Sequence, residues 1–180
     1  MKQRLHAKRF SVSLLLLTVV FLLGACTAET IMMTPVEYLE AVNELVTEDY
    51  GALTVNESLN TYTTVTRISD RLFLTMEADP VTGYLQRAEL ALYFDADIES
   101  LDYSSFSYFF LIMLKAYDPD ITITNINSIH DALDIENYTV GTDHSIGYGS
   151  SNYFYTVSDE TALFSAQFLS VGETAENNAG

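Results

Sequence analysis

Basic residues are scarce in this chain: eight lysines and arginines stand against 25 aspartates and glutamates, a formal charge of −17. Four of the eight, Lys2, Arg4, Lys8 and Arg9, lie in the first ten positions, so everything after residue 25 has only Arg67, Arg71, Arg87 and Lys115 as cations. Nucleic-acid binding needs clustered lysine and arginine to neutralise phosphates, and electrostatic adhesion to anionic headgroups needs a basic patch. This composition provides neither. Cysteine is nearly absent as well. Cys26 has no second cysteine to pair with, which excludes an internal disulfide and leaves stability to packing. Tryptophan is missing, but 12 tyrosines and 10 phenylalanines supply large apolar area for a core.

Long apolar runs are confined to one place. Lys2, Arg4, Lys8 and Arg9 are followed by an apolar stretch over 12–23 and then by small residues, the order of an export signal. The run over 10–25 is interrupted by Ser11, Ser13 and Thr18 and falls short of the roughly 20 apolar residues that a membrane-spanning helix requires. It closes on Leu23-Gly24-Ala25-Cys26, which resembles the lipobox of bacterial lipoproteins. That resemblance implies cleavage before Cys26, a diacylglyceryl group on its sulfur and a new N-terminus there. A thiolate is the soft nucleophile that such a thioether requires, and each buried acyl methylene contributes about 0.8 kcal/mol to anchoring.

The implied organisation is a removed signal at 1–25, a lipidated tether at 26–33, one globular domain at 34–170 and a disordered polar tail at 171–180. The mature part holds four basic and 25 acidic residues, a formal −21, which favours cationic partners over anionic ones. The implied location is the outer leaflet of the cell membrane, or the outer membrane where one exists. Thr27 in place of aspartate after the cysteine resembles the pattern for export to the latter.

Within the domain, Thr34-Pro35-Val36-Glu37 combines a capping threonine, proline at the first helical position and a glutamate that reaches back. A helix is expected from Pro35 to near Asp49, with Val36, Leu39, Val42, Leu45 and Val46 on its apolar face. The period then changes to two, predicting strands over 61–68, 71–78 and 84–94, the last two joined by the turn Asp79-Pro80-Val81-Thr82-Gly83. The apolar stretch over 101–117 reads as a buried helix stopped by Asp118-Pro119. A shorter helix is expected over 127–134, capped by Ser128 or Asp131 and packed through Ile129, Ala132 and Leu133. Strands return over 145–148, 152–157 and 162–169. The order α-βββ-αα-βββ predicts an α+β fold: a mostly antiparallel sheet of about five to six strands covered by helices.

The residues that carry chemistry form no recognisable constellation. Asp95-Ala96-Asp97-Ile98-Glu99 has the alternate acids of a calcium loop, but Ser100 and Phe106 occupy the positions of its glycine and final glutamate. These acids, like Asp118, Asp120, Asp131 and Asp134, read as solvated carboxylates at helix N-termini, with an irregular calcium site as the alternative. His130 and His144 lack zinc-site spacing. Asp143, His144 and Ser145, with Ser150 and Ser151 nearby, are the best material for a hydrolase, yet Gly147-Tyr148-Gly149-Ser150-Ser151 is no nucleophile elbow. No catalytic residue, metal ligand or cofactor is therefore assigned. Tyr148, Tyr153 and Tyr155 are the candidate ligand-binding residues, since tyrosine offers a flat apolar face with a polar tip. The competing reading has them packing across a sheet. The function expected is that of a non-enzymatic binding module, with an inhibitor or decoy for a cationic lysozyme-like protein or antimicrobial peptide as one alternative and a small envelope hydrolase as the other.

Overall fold

The computed structural model describes residues 32–95 and 98–168. The signal, Cys26, the end of the tether before residue 32, the Ala96-Asp97 part of the calcium-like sequence and the tail lie outside the described residues. The first helix, α1 (Pro35–Leu45), starts at the expected capping box: Thr34 Oγ1 accepts from the Glu37 amide, and the Glu37 carboxylate accepts from the Thr34 amide at 2.7 Å. These bonds hold the Glu37 carboxyl below its usual range, the backbone amide of Thr34 contributing most.

The helix ends four residues before the expected point, because Val46 turns to an extended conformation and the Asn43 amide takes over the chain that returns beside it. Asn43 donates to the Leu53 carbonyl at 2.9 Å and accepts from the Leu53 amide at 2.7 Å. Its buried face is Tyr38, Leu39 and Val42, while Val36 and Leu45 are exposed. The short helix length explains the shift: with about three turns, the stripe centres on Tyr38, Leu39 and Val42 and leaves Val36 and Leu45 at its margins.

Seven antiparallel strands follow among the described residues, one or two more than expected. They are β1 (Glu57–Ser58), β2 (Thr63–Arg67), β3 (Leu72–Ala78), β4 (Leu85–Tyr93), β5 (Asp143–Tyr148), β6 (Ser151–Val157) and β7 (Thr161–Phe168), in spatial order β1-β2-β3-β4-β7-β6-β5. Alternation sets the faces: Leu72, Leu74 and Met76 of β3, Ala88, Leu90 and Leu92 of β4 and Ala162, Phe164 and Ala166 of β7 are all buried on one side. β4 and β7 pair at the centre although 68 residues separate Tyr93 from Thr161. The β3–β4 turn is the expected one, with Gly83 at φ +75° and Asp79 Oδ1 accepting from the amides of Val81 and Thr82.

Two further helices lie over the same face as α1. Helix α2 (Ser100–Tyr117) buries Phe106, Phe109, Phe110, Met113 and Leu114. Phe110 meets Phe164 edge-on at 4.8 Å and Tyr117 stacks on Phe168 at 3.7 Å. Helix α3 (Ile123–Leu133) starts earlier than expected. Thr122, not Ser128 or Asp131, caps it by accepting from the Asn125 amide, and Ser128 sits inside the helix with its hydroxyl on the Thr124 carbonyl. Ile126, Ile129 and Leu133 are buried, whereas Ala132 is exposed. The β-branched start Ile121-Thr122-Ile123-Thr124 disguises the helix in sequence, and the left-handed Asp134 ends it.

Candidate functional site

The topology gives the domain two distinct ends. At one, the chain enters: the Leu85 amide donates to the Met33 carbonyl at 2.7 Å, the Ala78 amide to Tyr62 at 2.8 Å and the Asp79 amide to Tyr84 at 2.8 Å. The β1–β2 turn, the β3–β4 turn and the start of α1 therefore meet there. At the other end the Tyr93 amide donates to the Arg71 carbonyl at 2.9 Å, Phe94 to Glu160 at 2.7 Å and Gly141 to Val157 at 2.9 Å. The β2–β3, β4–α2, α3–β5 and β6–β7 connections meet at this distal end. The C-terminus of α1 reaches it too, because α1 runs antiparallel to α2: Tyr38 bonds Met113, the Thr47 amide bonds Tyr108 and the Tyr50 hydroxyl bonds Ser105.

Charge is distributed unevenly between the ends. The distal connections expose Glu48, Asp49, Asp70, Asp95, Glu99, Asp134, Glu136, Asp159 and Glu160. The turns at the entry end contribute only Asp79, Asp118 and Asp120, and Asp79 is turned onto its own loop amides, first that of Thr82, which lower its pKa. The cations do little to offset this. Arg67 pairs with Asp70, Arg71 with Asp95 at 2.9 Å and Asp102 at 3.5 Å, and Arg87 with Glu77 at 2.5 Å and Glu89 at 3.4 Å. Lys115 donates to the Pro119 carbonyl at 3.1 Å. All four cations after residue 25 are thus engaged within the chain, and among the described residues most distal carboxylates have no cation facing them.

A groove of about 310 Å³ runs between α1 and the returning chain, lined by Pro35, Val36, Leu39, Leu53 and Val55 with Thr64 of β2 at its floor. The Asn43–Leu53 amide pair fixes its width. Its walls are mainly aliphatic, and the buried Thr64 hydroxyl has no hydrogen-bond partner among the described residues. Such a groove accommodates an apolar group with one acceptor or donor to spare. It is not legible in the sequence, because its walls come from α1 and from residues 53–55, which Asn43 brings together. The sheet face away from the helices carries a second apolar strip, Phe73, Ala91 and Leu163 in register, with Tyr93 edge-on to Phe73 at 5.6 Å.

The candidate tyrosines are placed differently from one another. Tyr153 and Tyr155 of β6 belong to the core, 3% and 0% exposed, so their ring faces are covered by packing and not offered to solvent. Burial pushes the Tyr153 pKa up to about 12 and that of Tyr155 higher still, and the Tyr155 hydroxyl donates to the Asn137 carbonyl at 3.2 Å. Tyr148, at the end of β5, is half-buried and its hydroxyl is bonded by the Asn125 amide.

The hydrolase material does not converge either. Asp143, His144 and Ser145 occupy successive positions of the edge strand β5, opposite Thr156, Tyr155 and Phe154, and alternation along a strand sends His144 and Ser145 to opposite faces. His130 lies edge-on to Phe110 with Nδ1 3.4 Å from Asp131. Among the described residues, no three histidine, cysteine or acidic side chains are grouped to hold a metal ion, and no helix is long and apolar enough to cross a membrane. No protein-family model, curated protein or solved structure matches the chain significantly.

Proposed function

We propose that this chain is a bacterial envelope lipoprotein, held on the membrane by lipid on Cys26, whose single α+β domain is a non-enzymatic binding module for another envelope component. The observation that carries the reading is Leu23-Gly24-Ala25-Cys26 at the end of a basic and then apolar leader. The fold agrees with an anchor placed there: the first described secondary structure opens at Thr34, eight residues after Cys26, so little polypeptide separates lipid from domain. Engagement of all four mature cations within the chain favours one class of partner. Carboxylates at the distal end remain available to a cationic protein or peptide, which supports the inhibitor or decoy reading as the more specific form of the same proposal.

Two measurements test it. Labelling with an alkyne-bearing palmitate should mark the wild-type chain and leave Cys26→Ser unmarked, and a wild-type chain without label in the membrane fraction would remove the anchor. Crosslinking capture from native membranes should then return a stoichiometric partner with the anchored form. If that partner is cationic, capture should weaken as salt rises; capture unchanged at high salt would rule out the decoy form.

A further inference from the structure

We infer that the entry end of the domain is a bilayer-contacting surface, so that the anchored protein stands with its β3–β4 turn in the membrane interface and its acidic end pointing away. The inference rests on the lipid anchor proposed above and adds an orientation that the anchor alone does not specify. Three observations carry it.

First, Met32, Leu59, Tyr62, Val81 and Tyr84 are all exposed at this end. They come from separate parts of the sequence, and the Met33–Leu85, Tyr62–Ala78 and Tyr84–Asp79 backbone bonds bring their segments together. Val81, at the apex of the turn, is 89% exposed. A valine side chain held at a turn apex gains nothing from water, and tyrosines beside it have the amphipathic character suited to a headgroup region. Exposed apolar residues also occur at the distal end, where Leu45 lies beside Glu44, Glu48 and Asp49 and Val140 beside Glu136 and Asp143; the acids nearest Val81, Glu77 and Asp79, are instead engaged by Arg87 and by the turn's own amides.

Second, the chain between the anchor and the domain is short and leads to this end. Six peptide steps separate Cys26 from Met32, a reach of at most about 20 Å at full extension. Met33 is fixed to the sheet by its bond with Leu85. The lipid therefore pulls on the same edge of the fold that presents the apolar residues.

Third, the charge asymmetry favours the same orientation. An anionic bilayer repels carboxylates, and nine of the described acids lie in the distal connections against three in the turns of the entry end. Close to the entry end, Glu77 is paired with Arg87 and Asp79 accepts from its own turn. With no basic patch to attract headgroups, contact is apolar and shallow, in the manner of an interfacial segment that buries side chains a few ångströms below the headgroups.

The experiment uses the full-length protein, purified from membranes and placed in phosphatidylcholine–phosphatidylglycerol vesicles that contain spin-labelled lipid. Lipidation consumes the Cys26 thiol, so Val81→Cys, Leu59→Cys and Asp159→Cys each offer one free thiol for an environment-sensitive fluorophore. Labels at 81 and 59 should be quenched about threefold or more strongly than the label at 159, as expected for residues within about 5–10 Å of the headgroup boundary. Equal quenching at the two ends, or stronger quenching at 159, in protein whose mass shows lipid on Cys26, overturns the orientation while leaving the anchor in place. Protein from the same membranes that carries no lipid overturns the anchor and the orientation with it. Circular dichroism of each labelled variant verifies that the fold is kept.

Discussion

The hydroxyl of Tyr38 donates to the main-chain carbonyl of Met113 at 3.1 Å, joining the second turn of α1 to the last turns of α2 across 75 residues of sequence. Tyr38 is 0% exposed and its ring also meets Phe168 at 6.3 Å. It therefore ties the first helix to both the second helix and the last strand. Tyr38→Phe keeps the ring and removes the donor, and should cost about 1 kcal/mol. Tyr38→Ala also empties the site and should cost about 3–5 kcal/mol. Urea titrations followed by far-UV circular dichroism check both values, and equal losses for the two variants would show that the ring contributes nothing beyond its hydroxyl.

Burial of tyrosines makes the fold sensitive to alkali. Tyr138 and Tyr153 are pushed up to about 12, and Tyr38 well above its ordinary value, mainly by desolvation of the phenolate. Each is neutral in the fold at pH values where the unfolded chain has begun to lose the proton. Above about pH 10 the unfolded state binds fewer protons than the native one, so stability is intact below that value and falls as pH rises towards 12. Tyrosinate absorbance followed against pH should show a group of tyrosines titrating only as near-ultraviolet circular dichroism collapses. All tyrosines titrating together near pH 10, with the fold retained, would contradict their placement.

How far the sequence revealed this arrangement depends on which interactions define each part. Thr34, Pro35 and Glu37 mark the start of α1 because capping is local, and Leu72, Leu74 and Met76 mark the inward face of β3 because alternation is local. The end of α1 is set by Asn43 reaching Leu53, and the start of α3 by Thr122 in a β-branched stretch. Neither leaves a periodic trace. The α-βββ-αα-βββ order and the antiparallel sheet are legible, but not the central pairing of β4 with β7, which only the complete chain selects. The two ends are less legible still: Met32, Tyr62, Val81 and Tyr84 are scattered in sequence and become neighbours through backbone bonds. Tyr153 and Tyr155 show the opposite limit, since alternation places them on one face but does not say that helices cover it.

Two arginines at the distal end differ in surroundings and should differ in value. Arg71 is 24% exposed in its side chain and faces Asp95 and the 17% exposed Asp102, whereas Arg67 and Asp70 are 53% and 86% exposed. A solvated pair of the second kind contributes between nothing and about 1 kcal/mol. Removing Arg71 leaves Asp102 half-sheltered beside a second carboxylate, and Arg71→Ala should cost about 1–3 kcal/mol. Arg67→Ala should fall within about 0.5 kcal/mol of wild type. Thermal unfolding of both variants side by side checks the order, and a reversal would mean that the Arg71 pairs are as solvated as that of Arg67.

Gly83 isolates a purely conformational cost at the surface assigned to the membrane. Its φ of +75° lies in the left-handed region, and a Cβ there would meet no atom within 4 Å. Gly83→Ala therefore introduces no clash with a neighbour, only backbone strain of about 1–2 kcal/mol, whereas Gly147→Ala in β5 has ordinary dihedrals but places a Cβ 3.3 Å from the Asn152 side chain. Denaturant midpoints should fall for Gly83→Ala, and Gly83→Asn should recover part of the loss because asparagine tolerates this region. The expected rescue is specific to a turn held in the left-handed conformation. If asparagine were no better than alanine, the β3–β4 connection would have to adopt another geometry in solution, and the bonds from the Val81 and Thr82 amides to Asp79 that hold Val81 at the apex would go with it.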